Sequence, residues 1–146
     1  MITVRPEQPQ DVDAIRCVNE QAFETPAEAH LVDRLRARRK LIASLVAEAG
    51  DQVVGHIAFS PVAIASRPEL RGVGLGPMAV VPAVQRRGIG SALVRAGLDR
   101  CRDTGYDYAV VVGHPGGAAQ ASEVAGSGAA PAVGSARRAC CALCAP

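Results

Sequence analysis

Apolar residues recur along this chain with two periods, and the switches between them mark the elements. "ITVRP" at the start reads as a short strand. From Asp11 to Phe23 the apolar positions Ile15, Val18 and Ala22 share one face at helical spacing, with Asp11 near the start. "TPAE" then offers Thr25 as an N-cap, Pro26 in the first helical position and Glu28 three residues after the cap, which is a capping box. Leu31, Val32 and Leu35 give this second helix its buried stripe. The period shortens in "LIASLVAE" and "QVVGHIAFSPVAIAS", two β-rich runs joined by "AGDQ" that predict an antiparallel hairpin. "VGLGPMAVV", Val73 to Val81, is a further strand. Its internal Gly74 and Gly76 predict a bulge or a close backbone approach, and Pro77 must interrupt the ladder. Gly88 to Thr104 is again helical, with Ser91, Arg95, Asp99 and Arg102 on a polar stripe and Ile89, Leu93, Ala96 and Cys101 facing elsewhere. Gly105 ends it as a C′ glycine, and "YDYAVVV" follows as a buried strand. Strand, helix and strand between Val73 and Val112 predict a right-handed crossover between parallel neighbours.

After "GHP", Gly113 to Pro115, the pattern stops. Residues 1–115 form the expected domain, and 116–146 a low-complexity Gly/Ala-rich tail in which only Ala118 to Ala125 could make a short helix. The tail's large apolar side chains are Val124, Val133 and Leu143. Burying each is worth roughly 1.5–3 kcal/mol, against roughly 1–2 kcal/mol for ordering each residue's backbone, so a mostly unstructured tail is expected. The strand Tyr106 to Val112 would then keep an exposed edge, and a homodimer is one way to cover it.

Composition narrows the function. The chain has 146 residues, 49% of them apolar, enough for one domain with a core of aliphatic residues. Aromatics are 3%, Trp is absent and the net charge is +2, which argues against base stacking and against nucleic acid as a partner. No run is long enough to span a membrane, and "MITVRPEQPQ" lacks a signal-peptide core, so the expected location is cytoplasmic. Of five cysteines, Cys17 and Cys101 read as small core residues, while Cys140, Cys141 and Cys144 crowd the C-terminus without a second Cys/His pair at metal-site spacing, so no metal is expected. "RLRARRK", Arg34 to Lys40, suits an acidic partner or, more simply, the negative end of a helix dipole.

The chemistry concentrates in "VVPAVQRRGIGSALVRAGL". The first turn of a helix has outward N–H groups without partners and partial positive charge, and an anion satisfies both. Gly88 and Gly90 let that anion reach the backbone, and Arg86 and Arg87 add full charges. A tight turn with solvated arginines is the plain alternative. No Gly-Lys-Ser/Thr follows, so this is not a P-loop, and no third glycine makes it a dinucleotide fingerprint.

"Q-R-R-G-I-G" after a strand ending in "AVVP", with the glycine-containing "LGPMAV" before it, resembles the signature of the GNAT N-acetyltransferase superfamily. The resemblance covers about residues 2–115. It implies an α/β (α+β) fold with a central twisted mixed sheet, mostly antiparallel with one parallel pair around the cofactor-binding helix, here without the family's C-terminal strands. It further implies acetyl transfer from acetyl-CoA to an amine of a small molecule or protein. Carried over by position, Gln85, Arg86, Arg87, Gly88, Ile89, Gly90 and Ser91 would line the pyrophosphate, and Met78, Ala79 and Val80 would pair with the pantetheine arm as an added strand does. A backbone N–H near the bulge would polarise the thioester carbonyl.

Acid–base candidates are few. The family's tyrosine after the fifth strand has no counterpart, since Tyr106 and Tyr108 lie before or within that strand. His56, His114 and Glu28 remain, each with a plainer role: a satisfied strand histidine, a loop histidine and a capping residue. A competing expectation is a non-catalytic module that binds coenzyme A but lacks a complete acceptor site.

Overall fold

The structure, a computed structural model, describes residues 1–111 and the backbone of residues 120–123. His114, the tail cysteines and the rest of the tail lie outside the described residues. Strands β1 (Ile2–Pro6), β2 (Ala43–Ala49), β3 (Gln52–Val62), β4 (Gly72–Val80), β5 (Tyr108–Val111) and β6 (Gln120–Glu123) lie side by side in sequence order. All neighbours are antiparallel except β4 and β5, which pair in parallel from Gly72↔Tyr108 to Leu75↔Val111. β6 corrects two expectations. Its backbone is a strand where a short helix was expected, and it pairs with β5, so β5 is not an open edge. Nothing in "QASE" has strong β propensity; the available β5 edge, rather than local preference, accounts for the strand.

Helices α1 (Val12–Ala22) and α2 (Ala27–Ala37) cover one face of the sheet, and α3 (Ile89–Asp103) covers the other. The α2 start follows the capping logic with a shift. Thr25 Oγ1 accepts from the Ala27 amide at 3.4 Å, while Glu28 meets the Thr25 hydroxyl rather than its backbone.

The two faces are built differently. On the α3 side, Leu45, Ile57, Phe59, Val73, Met78, Leu93 and their neighbours form one apolar core. Two glycines make the close approach possible. A Cβ on Gly97 would sit 2.2 Å from the Phe59 ring, and one on Gly55 would sit 3.1 Å from Leu93. On the other side the apolar cluster is Ile15, Val32 and Val46, flanked by Val53. Alternation along β3 sends His56 to this second face, where it is 0% exposed. Cys101 is buried as expected, and its thiol is pushed up to about 11 by burial. Cys17 is not: it lies exposed on α1 and accepts a hydrogen bond from Gln21 Nε2 at 3.0 Å, because Ile15, Val18 and Asn19 form the buried stripe.

Candidate functional site

β4 and the turn after it carry the anion-binding features. The register along β3 and β4 slips between Ile57↔Met78 and Phe59↔Leu75, so Gly76 and Pro77 form the extra step of a bulge. Gly76 has φ +143°, which glycine tolerates best. The parallel ladder to β5 extends to Leu75↔Val111, whereas β4 continues to Val80. Met78 and Val80 belong to the α3-side core, and Ala79 sits opposite His56 across the β3–β4 ladder.

After Val80 a 3-10 turn at Pro82–Val84 leads to Gln85. Val81 N–H donates to the Val54 carbonyl on β3 at 2.9 Å, so the Val80 carbonyl of the same peptide points the other way. Gln85 Nε2 donates to it at 2.9 Å. Gln85 thus ties the turn to the strand end, a function that the motif does not reveal. Arg86 at φ +63° and Gly88 at φ +82° then reverse the chain, and the helix begins at Ile89. Ala92 N–H is the first of the helix to bond backwards, to the Gly88 carbonyl at 3.0 Å. Among the described residues, the amides from Arg86 to Ser91 have no carbonyl partner. Alternation of left- and right-handed backbone gathers such N–H groups into an anion-binding concavity. Arg86, Arg87 and Gly88 are exposed, Gly90 and Ser91 are half-buried, and Ile89 is anchored in the core. Neither arginine has a carboxylate partner among the described residues.

The acid–base candidates lie elsewhere. Glu28 is engaged in the α2 start. His56 is sealed between β3 and α1: Nε2 is 2.9 Å from Ser44 Oγ and Nδ1 is 3.3 Å from Asn19 Nδ2. Burial lowers its pKa to about 4, so the ring is neutral near pH 7. Ser44 in turn bonds Glu7, which Arg36 holds at 2.9 and 3.1 Å. Burial opposes the charge on Glu7, but the Arg36 and Ser44 hydrogen bonds outweigh it and lower its pKa. This set of residues at 7, 19, 36, 44 and 56 has no sequence signature. A separate groove of about 680 Å³ opens between α1 and the β2–β3 turn. Arg5 bridges Asp11 and Glu48 in its wall. The Arg5 hydrogen bond holds Asp11 below the usual carboxylate range. Among the described residues, no cluster of three or more His, Cys, Asp or Glu could hold a metal, and no helix is long and apolar enough to cross a membrane.

Comparison with known proteins bears on this geometry directly. A solved GNAT family acetyltransferase of Brucella melitensis, crystallised with acetyl-CoA, is 39% identical, with a TM-score of 0.78 over 90% of this chain and 93% of that one. YhbS of Escherichia coli, crystallised with CoA, is 32% identical, with a TM-score of 0.79 over 85% of this chain and 82% of that one. The curated protein "Uncharacterized N-acetyltransferase YhbS" of Escherichia coli (strain K12) is 38% identical over 113 residues, 77% of this chain and 67% of that protein. The model of the acetyltransferase (GNAT) family matches residues 12–121, which span the two helices, the bulged strand, the glycine turn and the helix behind it. This chain belongs to the GNAT family and is an N-acetyltransferase of that type.

Proposed function

We propose that this chain transfers the acetyl group of acetyl-CoA to an amine, and that the turn from Gln85 to Ser91 grips the pyrophosphate. The observation that carries the reading is the helix start. Several amides without carbonyl partners among the described residues, two left-handed residues and two arginines without a carboxylate there converge on one exposed point. Relatives crystallised with acetyl-CoA or CoA support it. Arg86 and Arg87 supply charge, Gly88, Ile89, Gly90 and Ser91 supply backbone, and Gln85 acts as a positioning residue through the Val80 carbonyl.

The arm of the substrate would follow Met78, Ala79 and Val80 at the end of β4. The thioester carbonyl would then come to the bulge, where a backbone N–H stabilises the developing oxyanion. The neutral amine forms the new N–C bond, the C–S bond breaks, and the sulfur leaves as thiolate. The proton that the amine loses balances the one that the thiolate gains. His56 takes no part, because both ring nitrogens are engaged inside the protein.

Calorimetric titration with coenzyme A, followed by thiol release from acetyl-CoA over a panel of amines, tests the reading. Arg86→Ala or Arg87→Ala should weaken binding by about 1.5–3 kcal/mol, the worth of a charge-assisted hydrogen bond. Gly88→Val should weaken it further, since a β-branched residue is strained at that φ and projects into the concavity. Unchanged affinity in all three variants would remove the phosphate site. Binding without transfer to any amine would instead favour a non-catalytic module.

A further inference from the structure

We propose that the α1–α2 layer is latched to the sheet by a one-directional chain of hydrogen bonds, and that it opens as a unit when His56 takes up a second proton. The direction of the chain follows from Asn19. Its Nδ2 donates to the Ile15 carbonyl at 2.9 Å, which fixes the amide orientation and turns the same nitrogen towards His56 Nδ1. Nδ1 is therefore the bare acceptor, and the ring proton sits on Nε2. Nε2–H donates to Ser44 Oγ, and the Ser44 hydroxyl donates to Glu7. Arg36 closes the chain from α2. One set of bonds thus joins α1, α2, β2, β3 and the segment after β1.

A proton arriving at Nδ1 points at the N–H donors of Asn19. The Asn19 Oδ1 atom, buried and without a donor, can accept it only if the amide rotates. Rotation takes Nδ2 away from the Ile15 carbonyl. Protonation therefore either breaks the Asn19–His56 link between α1 and β3 or keeps it only at the expense of the Asn19–Ile15 bond inside α1. The surrounding groups set the balance. Glu7, 3.9 Å from Nε2, favours the charged ring, and Arg36 on α2 opposes it. Asn19 on α1, Ser44 on β2 and Ala79, opposite on β4, bring no titrating group.

Apart from this chain of bonds, Arg5 on β1 ties the layer to the sheet by bridging Asp11, just before α1, to Glu48 on β2. Among the described residues the layer's apolar cluster is Ile15, Val32 and Val46, much smaller than the one on the α3 face. The Arg16–Asp33 pair joins α1 to α2 and the Arg36–Asp33 pair lies within α2, so both hold the layer together without fastening it to the sheet. Opening of α1 and α2 can therefore precede loss of the sheet and α3, as sub-global opening does in other folds.

Amide exchange of the full chain, corrected for intrinsic rates, tests this between pH 7 and 4.5. The released imidazole takes its proton near pH 6.5 and the buried one near 4, so opening of α1 and α2 should rise by about tenfold or more at pH 4.5 relative to α3. Nitrogen NMR at pH 7 should show His56 as the Nε2–H tautomer. His56→Gln can accept from Asn19 and donate to Ser44 but does not titrate, so its α1–α2 layer should stay protected at pH 4.5. Asn19→Asp offers Nδ1–H an acceptor inside the closed layer, so the charged ring stays held and the acid opening should be weakened or lost. The proposal is overturned if α1–α2 and α3 lose protection together, or if wild type and His56→Gln open at the same pH. Should the glutamine variant not fold, an acid opening in Asn19→Asp as large as in wild type overturns it equally.

Discussion

The two faces of the sheet solve the same packing problem with different chemistry. Under α3, apolar side chains meet across two glycines, so the helix lies close against β2, β3 and β4. Under α1 and α2, a small apolar cluster is supplemented by a histidine, an asparagine, a serine and a string of ion pairs. Apolar contact is non-directional and indifferent to pH, whereas a chain of directed hydrogen bonds has one working protonation state. The turn proposed to grip the pyrophosphate belongs to the first face, since Ile89, at its end, is rooted in that core. The difference teaches that the proposed substrate site rests on the less condition-sensitive half of the molecule.

Cavity mutations should show the contrast most strongly. Leu93 and Ile15 are equally buried, yet Leu93→Ala empties a site walled by rigid neighbours. It should cost towards the top of the roughly 2–5 kcal/mol range for such truncations, and Ile15→Ala towards the bottom, because the polar layer can close on the gap. Chemical denaturation measures both, and the reverse order would break the comparison.

Acid is the next test. The folded pKa of His56, about 4, lies below its ordinary value of 6.5, so the unfolded chain binds more protons in between. That stability is fully present above pH 6.5 and is lost as pH falls to 4, by roughly 3 kcal/mol in total. Denaturation midpoints across this range should fall in wild type and stay flatter in His56→Gln. The lowered pKa values of Glu7 and Asp11 add losses of the same sign at lower pH, which the variant should retain.

The smallest effect belongs to the surface. Arg16 joins Asp33 at 3.1 Å with 40% and 31% side-chain exposure. Arg16→Ala should cost less than about 1 kcal/mol, and still less in high salt. A larger loss would mean that ion pairs, rather than the buried chain, hold the α1–α2 layer.

Much of this was legible in the residues themselves. Periodicity located the helices and the hairpin, because each depends on neighbours close in sequence. The glycine turn was legible because helix geometry alone makes "QRRGIG" receptive to an anion. Gly97 reads as a weak point in a helix until Phe59 is seen to occupy the space of its missing Cβ. The chain from Glu7 to Asn19, Arg36, Ser44 and His56 is assembled by tertiary contact, so no local pattern announces it. Gln85 was expected at the pyrophosphate, yet its amide is engaged by the Val80 carbonyl. β6 owes its strand to the edge it pairs with, and "QASE" alone gives no hint of it.

Amide exchange with and without coenzyme A tests most directly whether the ligand site belongs to the α3 face. The account predicts slower exchange from Met78 through Ser91 on binding, with α1 and α2 unchanged at pH 7. Protection confined to α1 and α2, with the turn from Gln85 to Ser91 unaffected, would contradict it.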